Sequence, residues 1–232
     1  MAAVAESMRE RILAAAITVI KERGITAATT KEIARAAGVS EGSLYNHFAN
    51  KTALFAAALA EVTGGARTAM TALLGSVGRG TVEENLARLA AHMVRFYGEL
   101  LPMTGPVLAD PGLIAWLRAD GPAKAGAAVR PGRLDAPGAP DSSGLPGGAA
   151  AGPVLGHAAL IGYLEAEQRE GRLSAAAPAP LLAAALLGAC QQHAFLTRLA
   201  GPEAVADGAR LPSDPEEFAT GLVRAVLAGR TG

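Results

Sequence analysis

Residues 29–51, TTKEIARAAGVSEGSLYNHFANK, carry the pattern that decides the fold. Thr29 followed by Glu32 is a capping box, so a short helix opens there and carries Ile33, Ala34 and Ala37. Gly38 stops it, Ser40 caps a second short helix through Phe48, and Asn50 caps a longer third one. Two short helices joined by Gly38-Val39-Ser40 form the pattern of a helix-turn-helix, whose tight turn needs a residue in the left-handed conformation, hence glycine. Ile33, Ala34, Ala37, Val39, Leu44 and Phe48 are spaced to pack these helices together. Glu41, Gly42, Ser43, Asn46 and His47 are left outward on the second helix, with Tyr45 at its edge. Short and polar groups of this kind suit a nucleic-acid groove, where residues near a helix N-terminus reach base edges.

Working outward, Met8, Ile12, Ala16, Val19 and Ile20 form the apolar stripe of a preceding helix that Gly24 ends. The helix from Lys51 carries Leu54, Phe55 and Leu59 and then meets Gly64-Gly65, a place for a bend or hinge. Gly75, Gly78 and Gly80 mark a linker, and Thr81 with Glu84 opens a helix to about Leu101. Asp110-Pro111 starts a shorter helix through Trp116. Residues 121–153 are rich in Gly, Pro, Ala and Ser without an apolar period, which predicts a long mobile loop. Further helices are expected from Val154 to Glu170, from Pro180 to Leu199, and from Asp214-Pro215-Glu216-Glu217 to about Ala228. The expected fold is all-α. It divides into a helix-turn-helix domain over residues 1–51 and a second helical domain over 52–232, for which the resemblance described below implies ligand binding and dimerisation.

The 232 residues have a formal net charge of zero, so charge alone points to no polyanionic partner. Up to Ala60, seven basic residues face five acidic ones, a weak electrostatic footprint. The single cysteine, Cys190, rules out an internal disulfide and suits a reducing compartment. The first residues lack the apolar run of a signal peptide, and Leu181 to Cys190 is too short to cross a bilayer, so a cytoplasmic location without a membrane partner is expected. His92, His157 and His193 have no metal-ligand spacing, and no nucleophile elbow or phosphate loop stands in a usable context. Neither an enzyme nor a metal or cofactor site is expected.

The stretch from Arg11 to about Phe55 resembles the N-terminal domain of the TetR/AcrR family of transcriptional regulators. The resemblance rests on Gly24, Thr29-Thr30, Ile33-Ala34, Ala37-Gly38-Val39-Ser40, Gly42, Leu44-Tyr45, His47-Phe48 and Lys51. It implies that Thr30, Tyr45, His47 and Lys51 contact phosphates, while Glu41, Gly42 and Ser43, with Asn46, face base edges. Glu41 could accept from a cytosine amino group or merely oppose the helix dipole. In such a family the C-terminal helices enclose a small-molecule cavity, for which His92, Met93, Phe96, Tyr97, Met103, Trp116 and Tyr163 are the candidates, although such residues also suit a plain core. Leu186, Leu187, Cys190 and His193, with Leu222 and Val226 on the last helix, are the candidates for a homodimer interface; an intramolecular core is the competing reading. The implied function is a repressor released from double-stranded operator DNA by a small-molecule effector. The alternative is a DNA-binding adaptor whose C-terminal half binds a protein.

Overall fold

The computed structural model describes residues 7–25, 27–108 and 151–229, with the side chains of 106–108 and 151 left aside. These residues form nine α-helices: α1 (Met8–Arg23), α2 (Thr30–Ala36), α3 (Glu41–His47), α4 (Lys51–Leu74), α5 (Val82–Leu108), α6 (Ala151–Arg169), α7 (Ala179–Ala200), α8 (Pro202–Gly208) and α9 (Pro215–Leu227). The expected all-α class is what the described residues show. They fall into two compact units, Met1–Glu61 with Pro102–Gly152, and Val62–Leu101 with Pro153–Gly232. The division lies inside α4, ten residues beyond the boundary expected at Lys51.

In the first unit, local signals start each helix. Ser7 caps α1 and Glu10 reaches back to the Ser7 amide, a reciprocal pair that the pattern Ser-x-x-Glu encodes. Thr29 and Glu32 repeat the device at α2. Ser40 accepts from the Ser43 amide at α3, and Asn50 Oδ1 accepts from the Ala53 amide at α4. Gly38 has φ of +66°, the left-handed conformation that the turn requires. Ile12, Ala16, Ile20, Ile33 and Leu44 are fully buried and tie α1, α2 and α3 into one core; Phe48 joins them. Burial of a leucine such as Leu44 contributes about 1.5–3 kcal/mol.

The second unit is built on one apolar cluster. α5 supplies Leu86, Leu89, Ala90 and Met93, α6 supplies Leu160, Tyr163 and Leu164, α7 supplies Leu182, Leu186, Leu187 and Cys190, and α9 supplies Phe218 and Val223. α7 is the one helix among the described residues that is long and apolar enough to span a membrane. Eight of its residues are buried, so part of that apolarity serves this core.

Several elements differ from expectation. α4 runs without a break through Gly64-Gly65, and a Cβ at Gly65 would meet the His92 ring at an ordinary 3.5 Å, so packing does not demand glycine there. α5 continues past Leu101 through Pro102 to Leu108. A proline loses one helical hydrogen bond, but Met103, 2 % exposed, anchors the turn that follows it. α8 adds to the expected elements, and Gly201-Pro202-Glu203 offers it a helix start with proline in the first turn. The helix expected from Asp110 to Trp116 and most of the loop expected over 121–153 lie outside the described residues; 151–153 already belong to α6.

Candidate nucleic-acid interface

α3 is held by its inner face alone. Leu44 and Phe48 are buried, whereas Glu41, Gly42, Tyr45, Asn46 and His47 are exposed and Ser43 is half-buried. A Cβ on Gly42 would meet only the Ser40 hydroxyl, at 3.9 Å, so nothing among the described residues requires a glycine at this site. Its lack of a side chain instead leaves the backbone at the start of α3 open to close approach by a partner.

The surrounding polar groups are connected. Thr30, the first residue of α2, donates its hydroxyl proton to Glu41 Oε1 at 2.6 Å. Tyr45 Oη donates to Thr30 Oγ1 at 3.3 Å. The structure thus brings together three of the residues singled out in the sequence, Thr30, Glu41 and Tyr45, in one surface relay. Lys51 stands apart, its ammonium 5.1 Å from the centroid of the Phe55 ring, at the N-terminus of α4. Two arginines overlooked in the sequence brace the module. Arg11 donates to the Ala37 carbonyl at 3.1 Å, at the C-terminal end of α2, and Arg9 lies over the Phe48 ring at 5.1 Å. Arg23 pairs with Glu32 at 2.8 Å. The Glu32 carboxyl is held below the usual carboxylate value first by its hydrogen bonds to Thr29 and then by Arg23 and Arg35 nearby.

The other candidates lie in the second unit, apart from Met103 in the first and Trp116, which is outside the described residues. Met93 and Tyr163 are buried in the apolar cluster, Phe96 and Tyr97 pack partly against it with their rings 5.3 Å apart, and His92 is half-buried. The expected interface residues Leu186, Leu187, Cys190 and His193 are buried within this chain and so have little surface for a second copy. The reason is helical phase, because the stripe they form is the one that α5 and α9 cover. His193 stacks on Phe218 at 4.1 Å and its Nε2 lies 2.8 Å from the Pro212 carbonyl, which makes that nitrogen the donor. Leu222 and Val226 remain half-buried. The outer face of α7 instead exposes Leu181, Phe195 and Leu199.

A buried polar network in this unit gave no sequence signal. Asn85 Nδ2 donates to the Arg79 carbonyl at 2.8 Å and to Tyr163 Oη at 3.2 Å, and burial, with the neighbouring Glu167 carboxyl adding to it, pushes the Tyr163 phenol up to about 12. Glu167 has no exposed surface; its Oε1 accepts from the Gly78 amide at 3.3 Å. Arg172 Nε lies 2.8 Å from Oε2 without a well-directed N–H, so that contact is ionic rather than a directed hydrogen bond. Arg172 also donates to the Gly80 carbonyl at 2.8 Å. The network fastens the turn between α4 and α5, where Gly78 and Gly80 adopt positive φ, to the end of α6.

Comparison with known proteins agrees with this geometry. The model of bacterial regulatory proteins of the tetR family matches residues 12–58, which covers most of α1, all of α2 and α3 and the start of α4. The HTH-type transcriptional regulator SrpR of Pseudomonas putida is 46% identical over 59 residues, 25% of this chain and 28% of that protein. The HTH-type regulator TtgW, also of Pseudomonas putida, is 44% identical over 59 residues, 25% of this chain and 44% of its own length. The match therefore spans less than half the length of either relative and is confined to a segment of DNA-binding type. Over the whole chain the likeness is one of fold. The ketosteroid transcriptional regulator KstR2 of Mycobacterium tuberculosis superposes with a TM-score of 0.61 at 16% identity, covering 100% of this chain and 98% of that one. Residues 12–58 thus carry a helix-turn-helix similar to that of the tetR family of bacterial regulatory proteins, and over the whole chain the likeness to solved regulators is one of all-helical fold.

Proposed function

We propose that the chain is a dimeric transcriptional repressor whose α3 enters the major groove of operator DNA and which a small molecule releases. The observation that carries this reading is the outer face of α3, where Glu41, Gly42, Tyr45, Asn46 and His47 form a contiguous exposed surface of polar or small groups on a helix anchored from behind by Leu44 and Phe48. Thr30, Tyr45, His47 and Lys51 supply the phosphate contacts; Gly42, Ser43 and Asn46 lie nearest base edges. With so few positive charges, one module binds weakly, and two are needed on one DNA. The outer face of α7 supports that pairing. Leu181 and Leu199 are 67% and 71% exposed and Phe195 is 50% exposed, an apolar stripe that a second copy would cover together with Leu222 and Val226 of α9.

For the effector, the half-buried His92, Phe96 and Tyr97 offer an apolar surface with polar tips beside the core of the second unit. A ligand there releases DNA only if it binds the DNA-free conformer more tightly than the bound one. The experiment is selection of duplexes from a random pool by the full chain, followed by a screen for small molecules that both raise its melting temperature and release the selected duplex. An enriched sequence released by such a molecule is expected. An enriched sequence with release only by a protein partner would replace the small-molecule effector by an adaptor role.

A further inference from the structure

The relay across α2 and α3 gives Glu41 a role that neither base reading nor helix-dipole compensation provides. Thr30 and Tyr45 carry one hydroxyl proton each. Tyr45 donates its proton to Thr30 Oγ1, and Thr30 donates its own to the Glu41 carboxylate at 2.6 Å. Both hydroxyls are therefore committed, and the acceptor that ends the relay is an anion. A DNA phosphate would be an acceptor of the same chemistry at the same place. We propose that Glu41 is a positioning residue that stands in for a backbone phosphate: it holds the Thr30 and Tyr45 hydroxyls while DNA is absent and must yield them when DNA binds.

The consequence is a built-in penalty on every duplex, with or without the operator sequence. To contact a phosphate, Thr30 has to exchange a charge-assisted bond to Glu41 for one to the phosphate, and the displaced carboxylate stays close to the polyanion. The exchange lowers operator and non-specific affinity alike and leaves their ratio unchanged; it makes non-specific binding too weak to persist, while a site that adds good base contacts still holds the module. Glu41 is also drawn toward α2, so its carboxylate is engaged before any cytosine amino group arrives.

This inference rests on the proposed DNA-binding function, and the test separates the two. Affinities of the full chain, Glu41→Ala, Glu41→Gln, Thr30→Val and the double variant Glu41→Ala with Thr30→Val are measured on the selected operator and on a scrambled duplex, over a range of salt. Glu41→Ala is expected to tighten both duplexes by about tenfold and to steepen the slope of log affinity against log salt by about 0.9, the value for one phosphate charge no longer offset. Glu41→Gln, which keeps the shape and loses the charge, should act in the same direction. In the Thr30→Val background the gain from Glu41→Ala should fall to about threefold or less, because the hydroxyl through which Glu41 acts is gone. An equal gain in both backgrounds would mean simple charge repulsion and would overturn the proposal. A changed operator ranking would show base reading, and uniformly weaker binding would show helix stabilisation; either outcome overturns it. If the wild-type chain binds no duplex in any salt, the underlying DNA-binding reading fails instead.

Discussion

Two polar clusters among the described residues hold a hydroxyl beside a glutamate, and they differ in where they lie. In the first unit Tyr45 passes a hydrogen bond through Thr30 to Glu41 on an exposed helix face. In the second, Asn85 donates to Tyr163 beside Glu167, which accepts from the Gly78 amide, with Tyr163 and Glu167 fully buried. The chemistry is the same and the consequence is opposite. The buried cluster is closed by Arg172 and by the Gly78 amide, so its carboxylate is compensated within the chain and the network only holds the α4–α5 turn in place. The exposed relay ends on a carboxylate whose described partner is the Thr30 hydroxyl, so water or a ligand can replace any of its members. Burial thus separates a structural use of these groups from an exchangeable one.

The sharpest way to break the comparison is to remove each anion. Glu167→Ala strips the Gly78 amide and Arg172 of their partner inside the fold and should cost about 3 kcal/mol in urea denaturation. Glu41→Ala should leave stability within about 0.5 kcal/mol, because its site is solvated. Equal losses would erase the distinction. Tyr163→Phe, which removes only the hydroxyl that Asn85 reaches, should cost about 1 kcal/mol by the same measurement, since Asn85 retains the Arg79 carbonyl.

A smaller effect sharpens the reading of the exposed face. Gly42→Ala meets no neighbour closer than 3.9 Å and removes a helical glycine, so it should raise stability by up to about 1 kcal/mol. The same substitution should weaken operator binding about tenfold or more in a titration with labelled duplex, since each bidentate-quality base contact it obstructs is of that size. A variant that is stabilised and binds DNA as well as the wild type would remove the argument that Gly42 keeps the surface open.

The gentlest probe is pH, and the two units should respond at opposite ends. Hydrogen bonds to Ser7 and Thr29 hold the Glu10 and Glu32 carboxyls below the ordinary 4.5. Their contribution to the first unit is complete above that value and is lost as pH falls through the lowered one. Burial pushes the Cys190 thiol and the Tyr97 and Tyr163 phenols up to about 12 from ordinary values of 9.0 and 10.0. Their contribution to the second unit is complete below the ordinary values and is lost as pH rises through about 12. Limited proteolysis mapped by mass spectrometry should accordingly find cuts appearing first in α1–α3 on acidification and first in α5–α7 in alkali. The reverse order would contradict both assignments.

The contrast also explains what was legible in the sequence. Capping boxes, the Gly38 turn and the apolar spacing of Ile33, Leu44 and Phe48 are local signals, and the structure has the helices they announce. The network of Asn85, Tyr163, Glu167 and Arg172 was invisible because its members lie up to 87 positions apart and none belongs to a motif. The phase of α7 was equally hidden. Its alanines and leucines occur on both sides, so Leu186 and Cys190 look no different from Leu181 and Leu199 until packing decides which face turns inward. The relay through Glu41 falls between these cases. All three residues stood out as surface groups, but only the approach of α2 and α3 brings Thr30 within 2.6 Å of Glu41.

The most direct test of the central claim is hydroxyl-radical footprinting of the full chain on a duplex that it has selected. Two protected patches are predicted on one face of the DNA, with centres about 34–36 Å apart or a multiple of that spacing, as two copies of α3 in successive major grooves require. A single patch would contradict the dimeric arrangement, and no protection at any salt concentration would contradict recognition of DNA by α3 altogether.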